Sequence, residues 1–588
     1  MKKRKYYVGL AANLHDPAIA IVDFEGQVIF AEALERPLQE KRAWNHPPDA
    51  MGHVSRVIHE YCGDQAELIV SMNWSRSMAN RLRTTSIMEI PFFEPWLGRM
   101  AKYAFSKKDH QIWPLSGYWP LVQSLRNSIT QAGLNLAWRG LVPAGYRVQG
   151  FDHHLTHAVT AAAFSDFDEA VCAVVDGFGE GTSSGFFLYR DGQVKSLNKA
   201  GRRGDGSLGM FYALLCHMCG FDPAAGEEWK VMGLAPYGKH DQEIYELMRP
   251  MLLVDGLEIR QGISAKEYWS RVRMLEQQIR PANSSPMEAV NLAWTGHEIF
   301  CEIMRELLTN LHATGLSDNL MIAGGCALNS AWNGRVLHET PFLKLSVPSA
   351  PADDGCAIGA AHLARLKDQP SSSLPRESCG FALGTPPRQK TLDRLLKYGL
   401  PSGVSVNQGD AAKIAARLVA EGKIVGWMQG RAEFGPRALG QRSILADPRD
   451  PGIKDRLNSE VKMRESFRPF APAVLDEYGH EWFEAYTGAP YMERTFVFLE
   501  KCRDLLPGVV HVDGTGRAQS IHKDLSPQFH AVVSEFHELT GVPIILNTSL
   551  NRMGKPIVHA IEDALGLFLT TGLDALVVEN VILSKQNG

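Results

Sequence analysis

Three histidines within five positions form the part of the sequence best suited to chemistry. They are His153, His154 and His157, and Asp152 before them is a suitable N-cap residue for a helix. In such a helix His153 and His157 lie one turn apart on the same face, as binding of one metal ion by two imidazoles requires, whereas His154 points elsewhere.

An apolar run after this helix ends in an aspartate. Residues 170–175 predict a buried strand that carries Asp176 at its C-terminal end, where Gly177 and Gly179 would let the backbone approach a ligand. Two imidazoles and one carboxylate could converge on a divalent ion. The alternative is that the histidines only cap and pack a surface helix, but the combined pattern favours a metal or nucleotide site.

A fourth candidate ligand lies much further along the chain. A second strand-and-loop pattern ends in an Asp-Asp-Gly turn that begins at Asp353 and is followed by a predicted helix. This element end is expected to face the same cleft as Asp176. A Gly324-Gly325 pair lies at another strand-to-helix turn, where its amide groups would suit a phosphate or nucleoside.

A second kind of chemistry is indicated by the basic tract 423–470. It holds seven arginines and three lysines against six acids, interspersed with glycine and proline. Guanidinium groups bind phosphate in a two-pronged manner, so the tract predicts a polyphosphate pocket, with an RNA-binding patch as the rival interpretation. The basic residues concerned are Arg431, Arg437, Arg442, Lys462, Arg464 and Arg468. The later strand end with Asn547, Ser549 and Asn551 is suited to hold a nucleotide or small oxyacid.

The predicted strands that would position these residues follow a repeated plan. Segments 6–34 and 169–197 each predict three strands, with an Asp near the first strand and a Gly-containing turn before the third. By fold-level analogy, this is the duplicated plan of the actin-like ATPases. A helix and one final strand over 575–583 are expected to close the chain. The irregular stretch 91–146 is either a functional lid or a packed helical subdomain.

Composition excludes several classes of protein. A chain of 588 residues with 45% hydrophobic and 21% charged residues is expected to form several globular lobes. Its net charge of −4 gives no reason to expect bulk nucleic-acid affinity. The nine cysteines lack framework spacing, so we expect reduced thiols and a cytoplasmic protein, with Cys216 and Cys219 as core residues of a helix. No apolar run reaches the roughly 18 residues of a membrane span.

The ordered motifs of the chain resemble those of the NodU/CmcH carbamoyltransferase family, the O-carbamoyltransferases of nodulation-factor and antibiotic biosynthesis. The resemblance spans nearly the whole chain. Its signatures are HD near the start, DHHLTHA, VVDGFGE, GEEWKVMGLAPYG, GGCALN, ADDG, GRAEFGPRALGQRSIL, VKMRESFRPFAP and NTSLN.

The resemblance implies an α/β fold with two domains. Residues 1–366 would form a duplicated actin-like (ASKHA) domain similar to the universal tRNA threonylcarbamoyl transferase subunit, with the insertion 91–146. Residues 367–377, which are rich in Ser and Pro, would be the linker. Residues 378–588 would form an α/β YrdC-like domain.

Two reactions are implied as well. In the C-terminal domain carbamoyl phosphate and ATP, with Mg²⁺, would yield carbamoyl adenylate. In the N-terminal domain the carbamoyl group would pass to a hydroxyl of a small-molecule natural product. Lys462, Arg464 and Arg468 are the expected catalytic residues of the first reaction. Its further carbamoyl phosphate and ATP ligands would be Arg431, Arg437, Arg442, Asn547, Ser549 and Asn551.

For the second reaction the expected metal ligands are His153, His157, Asp176 and Asp353. The resemblance suggests Fe²⁺, whereas the ligand types alone permit Fe, Mn, Co or Zn. His15 is the candidate base for the acceptor hydroxyl, the alternative being a structural histidine that caps a turn with Asp16. The carbamoyl adenylate is expected to contact Gly177, Gly179, Glu228, Lys230, Gly324, Gly325 and Asn329.

Other functions stay open at this level. They are a tRNA threonylcarbamoyl-type modifying enzyme, an actin-like sugar kinase or chaperone ATPase, a metalloprotease suggested by HxxxH, and a non-catalytic scaffold. The helix lacks the glutamate of HExxH, which argues against the protease. The expected partners are ATP, carbamoyl phosphate and an alcohol, without nucleic acid or membrane, and a homodimer is a reasonable expectation. Pro17 and the altered segment 32–48 depart from the family pattern, so the acceptor stays undefined.

Overall fold

The chain forms two compact units in the computed structural model, which describes residues 4–84, 128–129, 131, 134–143, 145–197, 204–281, 283–376 and 378–586. Most of the predicted insertion 91–146 lies outside the described residues. Unit 1 comprises Met1–Leu34, Arg42–Leu328 and Val336–Cys379, and unit 2 comprises Glu35–Lys41, Asn329–Arg335 and Gly380–Gly588. The predicted linker 367–377 belongs to unit 1, and its first two residues end a helix.

Unit 1 is built on two five-stranded sheets. Short runs of apolar and β-branched residues form their central strands, which are buried on both faces. The strands are β1 Lys5–Ala11, β2 Ala18–Val22, β3 Val28–Ala33, β4 Glu67–Met72, β5 Gln149–Gly150, β6 Glu169–Gly179, β7 Thr182–Arg190, β8 Gln193–Ser196, the separate hairpin β9 Leu252–Asp255 and β10 Glu258–Gln261, β11 Asn319–Ala323 and β12 Lys344–Ser346.

The two sheets of unit 1 share one topology. The first has the order β3-β2-β1-β4-β5 and the second the order β8-β7-β6-β11-β12. In each, the first three strands along the chain form an antiparallel meander and the last two add in parallel. The duplicated actin-like plan expected from the sequence is therefore confirmed.

Helices pack between and around these sheets. The longest is amphipathic, with its apolar positions buried. Among the described residues up to 379, the helices of seven or more residues are α1 His53–Cys62, α2 Arg76–Thr84, α3 His153–Ala163, α4 Leu208–Met218, α5 Glu228–Leu234, α6 Gln242–Met248, α7 Ala265–Leu275, α8 Val290–His312, α9 Ser330–Glu339 and α10 Cys356–Asp368. Short helical turns also occur at Glu35–Leu38 and Leu134–Trp138.

Helix α10 is held against its neighbours by backbone contact. A Cβ atom added to Gly9 of β1 would lie 1.9 Å from the carbonyl oxygen of Ala357 in α10. At the contact between α10 and α3, a Cβ atom on Gly359 would lie 2.0 Å from the carbonyl oxygen of Thr156. The two glycines thus let β1, α10 and α3 approach more closely than any side chain would allow.

Unit 2 contains one mixed eight-stranded sheet of the order β13-β22-β21-β14-β15-β20-β16-β19. Its core contains a large cluster of apolar side chains that includes the fully buried Trp427 and Phe498. The elements are β13 Val404–Gln408, β14 Val425–Met428, β15 Arg442–Ala446, β16 Ala471–Leu475, β17 Phe496–Val497, β18 Thr515–Gly516, β19 Gln519–Ile521, β20 Ile544–Ser549, β21 Ala575–Val578 and β22 Val581–Lys585, with α11 Gln389–Tyr398, α12 Ala411–Ala420, α13 Pro527–Thr540, α14 Ile561–Thr570 and short helices at Ile453–Arg456, Gly479–Trp482 and Glu500–Arg503. The YrdC likeness of this unit stays a prediction.

The end of the chain corrects one expectation. The apolar run 575–583 forms two antiparallel strands, β21 and β22, rather than a single strand. Glu579 adopts a positive φ of 51° at the turn between them. Glutamate is not a favoured residue for that conformation, and this is why the turn is hidden in an otherwise continuous strand pattern.

The cysteines agree with the expectation of reduced thiols. All nine cysteines are free thiols, and Cys216 lies in α4 with Cys219 at its C-cap. Among the described residues, no helix combines the length and apolarity needed to cross a lipid bilayer.

Candidate functional site

Helix α3 brings two of the predicted metal ligands together. Asp152 caps it as expected, because its Oδ1 accepts a hydrogen bond of 2.9 Å from the Leu155 amide. One turn then separates His153 from His157, and their Nε2 atoms lie 3.2 Å apart. Both rings are buried.

The carboxylates reach the same point from two other elements. Asp176 lies in β6 and Asp353 begins the single 3₁₀ turn that precedes α10. His153 Nε2 is 3.2 Å from Asp176 Oδ2 and 3.6 Å from Asp353 Oδ1. His157 Nε2 is 3.6 Å from each of these oxygens. We call His153, His157, Asp176 and Asp353 the imidazole–carboxylate cluster.

These separations suit a single divalent ion. Ligand atoms at about 2.0–2.2 Å from one ion lie roughly 3.0–3.5 Å from each other. The four ligand atoms of the cluster all lie within 4.8 Å of one another. The side chains therefore fit a metal with two nitrogen and two oxygen ligands, a set that does not by itself select one metal.

The charges within this cluster balance each other. Burial opposes protonation of His153, but Cys356, Asp176 and Asp353 outweigh it and raise the pKa of His153 to about 9. The same neighbours hold the pKa of His157 well above its ordinary value. Burial would raise the pKa of Asp176, yet the two imidazoles hold it well below the usual range. A metal that binds here must displace protons from the imidazoles.

Contacts behind the ligands fix their orientation. Asn73 Oδ1 accepts the Ala12 amide at 2.9 Å, which turns Asn73 Nδ2 toward His153 Nδ1 at 3.1 Å. The indole of Trp74 stacks on the His153 ring with 4.8 Å between centroids. The amide of Gly325 donates to Asp176 Oδ1 at 3.0 Å. The Trp74 stacking and the Gly325 hydrogen bond set the positions of His153 and Asp176, as outer contacts do in a metal site.

A second group of polar side chains surrounds the predicted base. His15 Nδ1 lies 2.7 Å from Asp16 Oδ2. Arg42 donates to that same oxygen from Nε at 3.2 Å and from Nη2 at 3.1 Å, and its Nη2 is also 3.1 Å from His15 Nε2. The structure thus pairs His15 with Asp16, the partner that the structural interpretation names, and the role of His15 as a base stays a prediction.

Arg42 is a residue that the sequence interpretation missed. Burial opposes its charge, but Asp16, Glu228 and Asp353 raise its pKa. Arg42 therefore lies in the electrostatic field of both the His15 group and the imidazole–carboxylate cluster. It has a φ of 61°, and no spacing or motif in the segment 32–48 singles it out.

The residues expected to contact the nucleotide are placed unevenly. Glu228 is close to the His15 group, since burial raises its pKa while Arg42 and His15 lower it. Gly177 has open space where a Cβ atom would be. Gly324 has a φ of 86° and approaches Val175, so it makes the bend after β11. The role of these three residues in nucleotide binding stays a prediction.

Four of the expected nucleotide contacts have structural partners instead. A Cβ atom on Gly179 would lie 2.3 Å from His153 Cδ2, so this glycine makes room for the imidazole. Gly325 uses its amide to bind Asp176. Lys230 is buried and pairs with Glu227 at 2.6 Å. Asn329 belongs to unit 2, where its Oδ1 accepts the Trp332 amide at 3.1 Å.

His154 has a packing position. Its Nδ1 lies 3.2 Å from Thr182 Oγ1, and the ring fills the space beside Gly179 and Gly185 in the β6–β7 hairpin. Burial and the charge of His153 lower its pKa to about 3, so it is neutral. It is not one of the ligand atoms of the cluster, in agreement with its predicted direction on α3.

In unit 2 the predicted lysine meets the predicted strand end. A π-helical segment, Leu457–Lys462, ends at Lys462, which is buried. Its Nζ donates to Asn551 Oδ1 at 2.8 Å and to Ser549 Oγ at 3.1 Å, and it also contacts the Ser549 carbonyl. Irregular helical turns of this kind often occur at functional sites.

Several arginines surround this lysine. Burial and the neighbouring cations lower the pKa of Lys462 and of Arg464 well below their ordinary values. Burial and Arg517 lower the pKa of Arg437 to about 9, and burial and Arg468 lower that of Arg517 to about 10. We call this group the cationic cluster; its members are Arg437, Lys462, Arg464, Arg468 and Arg517.

The cationic cluster has buried donors left over. Within the residues that the structure describes, Arg464 Nη2 and Arg517 Nε are buried and have no hydrogen-bond partner. The Arg464 guanidinium lies 4.3 Å from the Phe470 ring centroid, and its Nε donates to Asn458 Oδ1 at 2.7 Å. Unpaired buried donors with like charge are suited to bind an anion.

Arg517 was not among the predicted residues. It lies in GRAQSIH, well after the tract 423–470, and a lone arginine near glycine is a weak signal. It lies between β18, which pairs with β17 in a separate two-stranded sheet, and β19 of the eight-stranded sheet, where the charge of Arg468 reaches it. Asn547 lies in the same sheet, where its Nδ2 donates to Gln519 Oε1 at 2.8 Å.

Two of the predicted phosphate ligands bind backbone carbonyls in the structure. Arg442 is fully buried, and its guanidinium donates to the carbonyls of Gln429, Gln441, Thr385 and Gly430 at 2.8–3.1 Å. Arg431 donates to the carbonyls of Gly384 and Leu383. Both guanidinium groups hold backbone segments together and are not part of the cationic cluster.

Family models cover both parts of the chain. The model described as "Carbamoyltransferase N-terminus" matches residues 6–362, and the model described as "Carbamoyltransferase C-terminus" matches residues 416–585. The chain belongs to the carbamoyltransferase family. The two matches include every member of the imidazole–carboxylate cluster and of the cationic cluster.

Curated relatives agree with this family. Nodulation protein NolNO of Sinorhizobium fredii is 36% identical over 457 residues, which cover 75% of this chain and 64% of the relative. Nodulation protein NolO of Bradyrhizobium diazoefficiens is 36% identical over 452 residues, which cover 74% and 79%. The chain thus spans slightly less than two thirds of NolNO. Among solved structures, T. kodakarensis HypF is 12% identical with a TM-score of 0.33, covering 63% of this chain and 48% of HypF, a likeness too weak to carry an argument.

Proposed function

We propose that this carbamoyltransferase forms carbamoyl adenylate from carbamoyl phosphate and ATP in unit 2, and transfers the carbamoyl group to a small-molecule hydroxyl in unit 1. The observation that carries the proposal is the cationic cluster. A member of this family that buries several like charges with unpaired donors in its C-terminal unit has a site suited to a phosphorylated substrate. The proposed acceptor is an alcohol of a natural product.

The first reaction must bring two anions together. Atom balance requires water to release phosphate from carbamoyl phosphate, so that a carbamate oxygen can attack the α-phosphorus of ATP and displace pyrophosphate. Lys462, Arg464 and Arg468 would offset the repulsion and stabilise charge on phosphate oxygens. Arg437 and Arg517 extend the same surface, while Ser549 and Asn551 orient the Lys462 ammonium.

The second reaction needs a base and an activated carbonyl. His15 Nδ1 lies 2.7 Å from Asp16 Oδ2, so His15 Nε2 would take the acceptor's proton once the acceptor hydroxyl replaces Arg42 Nη2, which lies 3.1 Å from it. Arg42 holds the Asp16 carboxylate in place. A divalent ion held by His153, His157, Asp176 and Asp353 would supply Lewis-acid polarisation of the carbamoyl carbonyl. Fe²⁺ is the proposed ion, and Mg²⁺ would accompany ATP.

Separable half-reactions test the proposal. Arg464→Ala should abolish pyrophosphate release from ATP with carbamoyl phosphate, yet still transfer carbamoyl from supplied carbamoyl adenylate to an alcohol. The double change His153→Ala with His157→Ala should do the opposite. Arg449→Ala is the matched control in unit 2, since Arg449 pairs with Asp447 and is not in the cationic cluster.

Two outcomes would contradict the proposal. Loss of both half-reactions in each folded variant, or ATP turnover that does not depend on carbamoyl phosphate, would argue against two separate sites. The alcohol itself can be found by a mass-spectrometric screen for the mass added by one carbamoyl group.

A further inference from the structure

A buried thiol lies beside the imidazole–carboxylate cluster. Cys356 is the first residue of α10 and follows the turn that carries Asp353. Its side chain is completely buried. Its Sγ, His153 Nε2 and His157 Nε2 all lie within 4.8 Å of one another. The two imidazoles therefore belong to two sets of potential ligands, one with carboxylates and one with sulfur.

The position of Cys356 places its sulfur beside the two imidazoles. It lies at the N-terminus of a 13-residue helix, where the helix dipole stabilises negative charge. The backbone contacts of α10 with β1 and α3 hold the thiol close to the imidazoles. A thiolate binds Zn²⁺ at about 2.3 Å, and ligand atoms within 4.8 Å of one another can share such an ion.

We propose that Cys356 is a thiolate ligand of the metal held by His153 and His157, and that it makes the site select Zn²⁺, Co²⁺ or Fe²⁺ over Mg²⁺ and Mn²⁺. This inference rests on the metal centre of the proposed function and adds a ligand to it. Two nitrogens and two carboxylates alone would also accept Mn²⁺, whereas sulfur disfavours hard ions. Sulfur thus sets which ion the centre selects.

Cobalt substitution provides a readout that does not depend on activity. Titration of the full chain with Co²⁺ should give one bound ion, with visible ligand-field bands and a near-ultraviolet thiolate-to-cobalt charge-transfer band. Cys356→Ser should still bind Co²⁺ but lose the charge-transfer band. Its affinity for Zn²⁺ should fall roughly tenfold or more, with a smaller change for Mn²⁺.

Two controls make the result specific. Cys172→Ala removes another buried thiol, on β6 in the same unit, and should leave the charge-transfer band unchanged. The double change His153→Ala with His157→Ala should remove Co²⁺ binding altogether. Circular dichroism of each variant verifies folding, and Cys356→Ala serves as the second variant if the serine destabilises the core.

The failures of the two proposals are distinguishable. If the wild-type chain binds Co²⁺ at the histidines without a charge-transfer band, Cys356 is not a ligand, while the metal centre stands. If the wild-type chain binds no Co²⁺, Zn²⁺ or Fe²⁺, the metal centre and the Cys356 proposal are both wrong. The first result is read on the unmodified protein and so does not depend on a variant that folds.

Discussion

The two clusters of this carbamoyltransferase are both buried, but they balance charge in opposite ways. In the imidazole–carboxylate cluster the carboxylates raise the pKa of His153, and the imidazoles lower the pKa of Asp176, so opposite charges stabilise each other. In the cationic cluster each group lowers the pKa of its neighbours. The Glu465 carboxylate contacts Arg468 and Glu493 lies near Arg437, which offsets only part of the repulsion.

This difference indicates what each site needs from a ligand. Like charges that are buried together destabilise the folded state until an anion binds between them. Paired opposite charges are already satisfied, and a metal there competes with protons. A phosphorylated ligand should thus change the stability of unit 2 more than an ion changes that of unit 1. Four measurements can test this difference between the two clusters.

The largest effect is expected from Lys462→Met. Removing the ammonium between Ser549 and Asn551 should slow pyrophosphate release about 10²–10³-fold, because stabilisation of phosphate charge is lost. Lys454→Met is the matched control, since the Lys454 ammonium binds the Val510 carbonyl in the same unit. Equal activities of the two variants in a pyrophosphate assay would show that the cationic cluster takes no part in this reaction.

Acid should weaken unit 1 through His362. This residue of α10 is buried, its ring nitrogens have no partner in the described part of the chain, and burial with Arg365 lowers its pKa to about 3. An unfolded histidine titrates near 6.5, so the unfolded chain binds more protons between pH 6.5 and 3. Stability is complete above this window and is lost as pH falls through it, by at most about 1.4 kcal/mol per pH unit.

Denaturant titrations at pH 7, 5.5 and 4.5 measure that slope. His362→Leu should make it shallower by up to one proton, whatever its effect at pH 7. An unchanged slope would assign the acid sensitivity to other groups.

Inorganic phosphate should protect unit 2 selectively. At 100 times its dissociation constant, phosphate would stabilise the folded state by about 2.7 kcal/mol. In hydrogen exchange followed by mass spectrometry, the slower exchange should appear in segments 457–470 and 515–551, with segments 153–176 unchanged. Equal protection of both regions would contradict the proposed difference between the two clusters.

The smallest effect is a gain of stability. Without phosphate, Arg517→Met should stabilise the protein by about 1 kcal/mol, because one buried charge is replaced by an apolar chain of similar length. The same variant should lose the protection by phosphate. Arg449→Met provides the control, and a destabilised Arg517→Met would show that the cluster's charges are compensated in the folded protein.

Local patterns were sufficient for the scaffold of unit 1. The repeated meander, the helix that starts after Asp152 and the strand Asn319–Ala323 follow from apolar periodicity and turn residues. Asp353 was predicted as a fourth ligand because it lies at the end of another element that was expected to face the same cleft as Asp176.

Residue type alone could not assign the arginines. Arg442 and Arg437 look alike in GRAEFGPRALGQRSIL, yet one binds backbone carbonyls and the other lies beside Arg517. Which guanidinium is satisfied by backbone depends on tertiary contacts that the local sequence does not encode. Arg42 was missed for the same reason, as its partners Asp16 and Glu228 lie far apart in the chain.

The backbone contacts at Gly9 and Gly359 have a consequence for how this protein can diverge. The distance from α3, which carries the histidines, to α10, which carries Cys356, is set by main-chain atoms rather than by core side chains. Substitutions among the apolar residues around them can therefore accumulate without altering the spacing of the ligands. Loops and the acceptor-binding segments are then able to change while the reacting centre keeps its dimensions.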